Sequence, residues 1–136
     1  MPTFTRAHFP RARIDAVELE PRVVEVAREW FGFRDDSLMR AHVADGRVFI
    51  EEAEPGSWDV IILDAFSYGD VPIPLETEEF LEATRRALKP GGVVASNLHT
   101  GSPRFDAMVA TYQAVFPEVG LVHVPERWQR ILLAGG

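Results

Sequence analysis

Trp58-Asp59-Val60-Ile61-Ile62-Leu63-Asp64 is the stretch that decides how the chain is read. A run of four aliphatic residues, three of them β-branched, between two acids suits a short strand in a sheet covered on both faces. Working outward, similar runs recur at Ile14–Leu19, Ala41–Ala44, Gly92–Ser96, Leu121–Val124 and Arg130–Leu133. Helical spacing fills the intervals. Val23, Val26, Ala27 and Trp30 form one stripe, with Pro21 suited to a first helical turn. Phe80, Leu81, Thr84, Ala87 and Leu88 form a second, closed by Lys89-Pro90-Gly91-Gly92 as a helix stop. Phe105, Met108, Val109, Tyr112 and Val115 form a third, behind Ser102 as N-cap and Pro103 at N1. A short helix is expected over Arg47–Ala53, and Met1–Pro10 reads as the end of another. Strand–helix alternation of this kind predicts an α/β fold with a doubly wound, mostly parallel sheet. The long connection Ala65–Glu76, stiffened by Pro72-Ile73-Pro74, is either a binding loop or a plain detour.

Composition narrows the function classes. The 136 residues, 46% hydrophobic and 26% charged, are one globular domain's worth of chain. A net charge of −7 opposes a nucleic-acid or anionic-membrane partner, which calls for a basic surface. With no cysteine, disulfides, thiolate zinc sites and cysteine nucleophiles are excluded. No apolar run approaches the roughly 20 residues of a membrane span. Met1-Pro2-Thr3-Phe4-Thr5-Arg6 lacks the apolar centre of a signal peptide, so a cytoplasmic domain is expected.

In open α/β sheets, ligands bind beyond the carboxyl ends of the strands. Four such ends carry polar groups: Glu18 with Glu20, Asp45-Gly46, Asp64, and Asn97 with His99. Carboxylates accept hydrogen bonds from ribose hydroxyls, an adenine amino group or an amine, so a nucleoside-like cationic ligand is favoured over free phosphate. Each acid also has a plainer reading. Glu18 could be a solvated strand end, Asp45 a helix cap, and Asp64 a cap for the segment after it. Recurrence after successive strands favours a shared rim. His8, His42, His99 and His123 show no metal-ligand spacing, so no metal is expected, although His99 could face the cleft.

Ile14-Asp15-Ala16-Val17-Glu18-Leu19-Glu20-Pro21, Val43-Ala44-Asp45-Gly46-Arg47-Val48-Phe49 and the Trp58–Asp64 stretch together resemble the spermidine synthase family. Pro74-Leu75-Glu76-Thr77-Glu78-Glu79-Phe80-Leu81 and Leu88-Lys89-Pro90-Gly91-Gly92-Val93-Val94 continue the match in order and spacing, from about Arg13 to the C-terminus. The resemblance implies a class I methyltransferase-like Rossmann fold and a cytoplasmic transferase of polyamine-biosynthesis type. Its co-substrate would be S-adenosylmethionine or decarboxylated S-adenosylmethionine, with a small-molecule amine or other acceptor. Glu18 would accept the ribose hydroxyls, Asp45 and the backbone of Gly46 would contact adenine, and Asp64 would orient or deprotonate the amine. Two departures stand out. Where the family carries Asp-Ser-Ser-Asp-Pro or a close variant, this chain has Asp64-Ala65-Phe66-Ser67-Tyr68, with Ser67 at the second acid and Asp70 three residues later. The family's N-terminal β-hairpin region, which helps to shape the polyamine pocket, has no counterpart in these residues. Beyond these two, the glycine loop expected about 20 residues before Glu18 is missing as well, since the first glycine is Gly32. Residues 1–136 therefore read as a single partial domain lacking its first strand and glycine loop, with exposed sheet edges that favour self-association. Methyl transfer to an unknown acceptor and a non-catalytic interaction module are the other readings.

Overall fold

A computed structural model describes residues 1–66, 70–123 and 129–136. The chain divides into two compact units, Met1–Phe49 and Ile50–Gly136.

The first unit contains helix α1 (Pro2–His8), strand β1 (Ile14–Glu18), helix α2 (Pro21–Trp30) and strand β2 (Met39–Val43). Helix α3 (Gly46–Glu51) carries the chain into the second unit. β1 and β2 pair in parallel, in register from Ile14 with Met39 to Glu18 with Val43. α2 begins as its sequence implies: Pro21 occupies the first turn, and the Glu20 carboxylate accepts from the Arg22 N–H at 3.1 Å. Two acids set the entry to β2. Asp36 Oδ1 accepts from the N–H groups of Leu38 and Met39 at 2.6 and 2.8 Å, while its Oδ2 takes the Arg6 guanidinium of α1 at 2.6 Å. Asp35 accepts from the Ala41 N–H at 2.8 Å and pairs with Arg28 of α2 at 2.7 Å. The expected apolar stripe on α2 is not the buried one. Val24, outside that stripe, is the helix's buried side chain, whereas Val23, Val26 and Trp30 stay exposed, Trp30 at 76%, and Ala27 is half-buried.

The second unit holds β3 (Trp58–Leu63), a single 3₁₀ turn (Ile73–Leu75), α4 (Glu78–Ala87), β4 (Leu88–His99), α5 (Phe105–Val115), β5 (Glu118–His123) and β6 (Gln129–Gly135). The sheet order is β3-β4-β6-β5. β3 and β4, linked through α4, are parallel, while β6 runs antiparallel to both of its neighbours. Two helix-linked pairs, β1 with β2 through α2 and β3 with β4 through α4, are thus parallel, as the alternation predicts, whereas β4 and β5, linked through α5, are separated by β6, which makes both antiparallel pairs. Ile61, Val94, Ser96, Leu98, Leu132 and Ala134 line one sheet face. Phe80 and Leu81 of α4 and Met108 and Tyr112 of α5 complete the core with them. Each large apolar side chain buried there contributes on the order of 1.5–3 kcal/mol.

Three expectations change. The β3 run is not covered on both faces: Ile61 is buried, but Val60 and Ile62 remain 56% and 47% exposed. The residues of α4 and α5 pack on the face opposite to these two. The Lys89-Pro90-Gly91-Gly92 string is not a helix cap. α4 ends at Ala87 and Leu88 is already extended, so the string forms a bulge between the Trp58–Leu88 and Val60–Val93 pairs. Gly91 sits at φ +75°, and a Cβ on Gly92 would come within 2.9 Å of the Lys89 carbonyl oxygen, so the bulge requires glycine. Finally, α5 starts at Phe105 after Arg104, not at Pro103 after Ser102. The Ser102 hydroxyl serves a turn one step earlier, accepting from the Arg104 N–H at 3.1 Å. The expected end of the fifth strand at Val124 lies outside the described residues.

Candidate functional site

In the first unit, Glu18 ends β1 and Asp45 lies two residues past the end of β2. Because the strands are parallel and in register, both acids stand at the same, C-terminal edge. The Glu18 carbonyl accepts from the Ala44 N–H at 3.0 Å, which ties the two exits together. Glu18 Oε1 accepts from the Glu20 N–H at 3.0 Å. Asp45 Oδ1 caps α3, accepting from Arg47 N–H at 2.8 Å and Val48 N–H at 3.4 Å. The capping reading of Asp45 is therefore present in the molecule, and it uses one oxygen. Glu18 Oε2 and Asp45 Oδ2 have no hydrogen-bond partner among the described residues. Beside them, a Cβ built on Gly46 meets nothing within 4 Å, so the space above its Cα is open. This edge offers two preformed acceptors and one uncovered stretch of backbone.

In the second unit the corresponding edge belongs to β3 and β4. Asp64 follows Leu63, which pairs with Ser96, and its Oδ1 accepts from the Asn97 side-chain N–H at 2.9 Å. That bond fixes the amide: Nδ2 faces the acid, and the Asn97 Oδ1 is a buried acceptor with no partner among the described residues. A little further out, Asp70 Oδ2 accepts from the Ser102 hydroxyl at 2.5 Å and from Arg104 at 3.2 Å. Arg104 also forks onto Glu76, with both guanidinium–carboxylate bonds at 2.9 Å, and donates to the Val71 carbonyl at 2.9 Å. Burial pushes the Asp70 carboxyl up, but the Ser102 hydroxyl, the Val71 N–H, Arg104 and His99 outweigh it and hold it below the usual range. The Glu76 bonds raise the Arg104 guanidinium above its ordinary value. Beneath this cluster, burial pushes the Tyr112 phenol up to about 12, opposed by its bond to Ser96. His99 folds over Gly101, whose missing side chain leaves room for the imidazole, and lies near enough to Asp70 to lower its carboxyl.

Sequence reasoning named Glu18, Asp45, Gly46 and Asp64; the first three share one strand edge, and Asp64 stands at the end of its own strand. It missed the Arg104–Glu76 fork and the commitment of Asp70 and Ser102 to each other. Nothing local signals either, since the partners lie 28 and 32 residues apart. Asp70 does not stand as a free second acid, and Ser67, at the position of that acid, lies outside the described residues. No cluster of three or more metal-binding side chains occurs among the described residues.

Helix-linked parallel strands with acids at their carboxyl ends define an α/β fold of the class I methyltransferase type, and the human methyltransferase-like protein 13, solved in complex with SAH, has the same one. It superposes with a TM-score of 0.88 at 33% identity, covering 98% of this chain and 65% of that one. Residues 6–125 match the spermine/spermidine synthase domain, so the chain belongs to that family. It is 35% identical to the polyamine aminopropyltransferase of Vibrio vulnificus (strain CMCP6), over 93% of this chain and 43% of the relative. It is 36% identical to the eEF1A lysine and N-terminal methyltransferase of Homo sapiens, over 86% of this chain and 18% of that protein. The chain thus spans less than half the length of both curated relatives.

Proposed function

We propose that the chain is the co-substrate-binding and acceptor-binding part of an alkyl transferase acting on an amine. Its donor is S-adenosylmethionine or the decarboxylated form. The observation that carries this reading is the pair of open carboxylate oxygens, on Glu18 and Asp45, at one end of the β1–β2 pair. They match the donors of a nucleoside: Glu18 accepts from ribose hydroxyls, and Asp45 with the Gly46 backbone meets the adenine. The open space beside Gly46 fits a flat base lying against the chain.

The acceptor's amine is assigned to Asp64. When the donor is bound, the chemistry is displacement at carbon. The amine lone pair forms the new C–N bond, the C–S bond breaks, and its electron pair neutralises the sulfonium. The ammonium formed must lose one proton, and in this reading the Asp64 carboxylate orients the amine and accepts that proton, supported by its hydrogen bond from Asn97. Methyl transfer remains the second reading, favoured by the SAH-bound relative. A small amine and a protein amine are both acceptors of the right chemistry. The half-exposed Val60 and Ile62 on β3 supply a surface for self-association.

Calorimetry with S-adenosylhomocysteine and methylthioadenosine tests the assignment. Glu18→Gln and Asp45→Asn should each weaken both ligands about tenfold, the worth of one charge-assisted hydrogen bond. Preference for S-adenosylhomocysteine identifies methyl transfer; preference for methylthioadenosine identifies aminopropyl transfer. Unchanged binding in both variants would remove the nucleoside from this edge.

A further inference from the structure

Along the outer end of β4 the two acids of the acceptor side are unequally free. Asp64 accepts from Asn97, while Asp70 is tied to the strand two residues further on through Ser102, whose hydroxyl it accepts and whose N–H bonds the His99 carbonyl at 3.1 Å. Asn97 and His99 are roughly 7 Å apart along the strand. Two carboxylates anchored at such neighbouring positions would suit the two ends of a short diamine. Here the outer one is already taken. The Arg104 guanidinium is 3.2 Å from Asp70 Oδ2, and its fork onto Glu76 and its bond to the Val71 carbonyl hold it there. Ser102 fills a further lone pair of the same oxygen at 2.5 Å. Arg104 thus stands where a second ammonium group would stand, and the two acids beside it share its one positive charge.

Resting on the assignment of the amine to Asp64, we infer that Arg104 is a specificity-determining residue: it occupies the second cationic position, so that the site takes an acceptor with a single amine rather than a diamine. The acceptor class is a primary amine on an otherwise uncharged or remote framework, such as an alkylamine or the amino group of a peptide. Asp64, with its Asn97 amide, is then the acid available at that edge among the described residues. Exclusion of the diamine is electrostatic, since a second ammonium would meet the guanidinium instead of a carboxylate. A bidentate arginine fork is also pre-organised, so displacing it costs more than displacing a mobile lysine.

The test compares n-butylamine with 1,4-diaminobutane on the unmodified chain, by NMR titration following the Asn97 side-chain amide and the Ala65 N–H. n-Butylamine should bind at least about threefold more tightly than the diamine, because the second ammonium meets the guanidinium and finds no open carboxylate among the described residues. In Arg104→Gln the ratio should move about tenfold toward the diamine, and Asp70→Asn added to Arg104→Gln should cancel the gain. Arg104→Lys, which keeps the charge, should leave the ratio near that of the unmodified chain. Dispersed amide signals in each variant show that it is folded. Equal binding of the two amines, or a preference of the unmodified chain for the diamine, overturns the inference, and this arm needs no variant. An unmoved ratio in folded Arg104→Gln overturns it too, while butylamine shifts at Asn97 would leave the assignment to Asp64 standing. If neither amine moves these signals, the assignment itself fails and the inference goes with it.

Discussion

The two units carry polar strand edges of the same kind on scaffolds of different kinds. Ile50–Gly136 holds the buried core, with Phe80, Leu81, Val94 and Leu132 sealed between two helices and one sheet face. Met1–Phe49 buries few apolar side chains, chiefly Val24, Phe33 and Met39, and exposes many, among them Trp30 and Phe31. It is knit instead by backbone pairing and by carboxylates that accept from N–H groups and arginines. The lesson is about where precision comes from. Asp64 is positioned by a packed core beneath its strand, whereas Glu18 and Asp45 are positioned by short-range hydrogen bonds at the ends of a two-stranded ladder. The second arrangement is the more sensitive to pH and to loss of single polar groups.

The largest expected effect breaks the packed side of that contrast. Phe80 is fully buried, and Phe80→Ala should cost about 3–5 kcal/mol, read as the loss of the cooperative unfolding transition of residues 50–136. Val24→Ala, at a smaller side chain, should cost less, about 1–3 kcal/mol, and should act on the first unit. Amide exchange resolved by residue separates the two. Equal loss of protection in both units after Phe80→Ala would mean that they do not differ in the way described.

Acid should then reveal the carboxylate-knit side. The Ala41 N–H, with Arg28, holds the Asp35 carboxyl below its ordinary value; the Leu38 N–H, with Met39 and Arg6, does the same for Asp36. A lowered folded-state value means that each link is fully present above about pH 4, the unfolded value, and is lost as pH falls through the lowered one. Among the described residues of the second unit, Asp70 is shifted in this direction. From pH 5 downward, signals of residues 35–43 should therefore change before those of β4 and α5. Simultaneous loss, or stability that rises on acidification, would contradict the sign of this linkage.

A smaller effect sharpens the assignment at the first edge. Gly46 opens α3 with open space at its Cβ position, so Gly46→Ala should leave stability unchanged or raise it by about 0.5–1 kcal/mol. Binding of S-adenosylhomocysteine should nevertheless weaken several-fold, because the added methyl takes up space beside the backbone. Unaltered affinity with raised stability would make Gly46 structural only.

Much of the architecture was legible because its signals are local. The aliphatic run Val60–Leu63 is a strand, Pro21 opens a helix, and acids recur just past strand ends. Readings failed where a local signal served a different tertiary purpose. Gly91 and Gly92 are shaped for a bulge against β3 and resemble a helix stop only in isolation. Ser102 has the chemistry of a cap but spends its hydroxyl on Asp70 and on the Arg104 N–H. The apolar character of Val60 and Ile62 announced burial that the second unit does not supply. The Arg104 fork had no sequence signal at all, since its partners approach only once β3, α4 and β4 are folded.

The central claim is that the nucleoside of the co-substrate lies against the C-terminal edge of β1 and β2. An ¹⁵N-labelled chain titrated with S-adenosylhomocysteine tests it directly. Saturable shifts should concentrate at Glu18–Glu20 and Ala44–Val48 and vanish in Glu18→Gln combined with Asp45→Asn. A folded chain whose shifts fall instead on β5 and β6, or that shows none at millimolar ligand by an order-of-magnitude standard of roughly 4 kcal/mol, would contradict it.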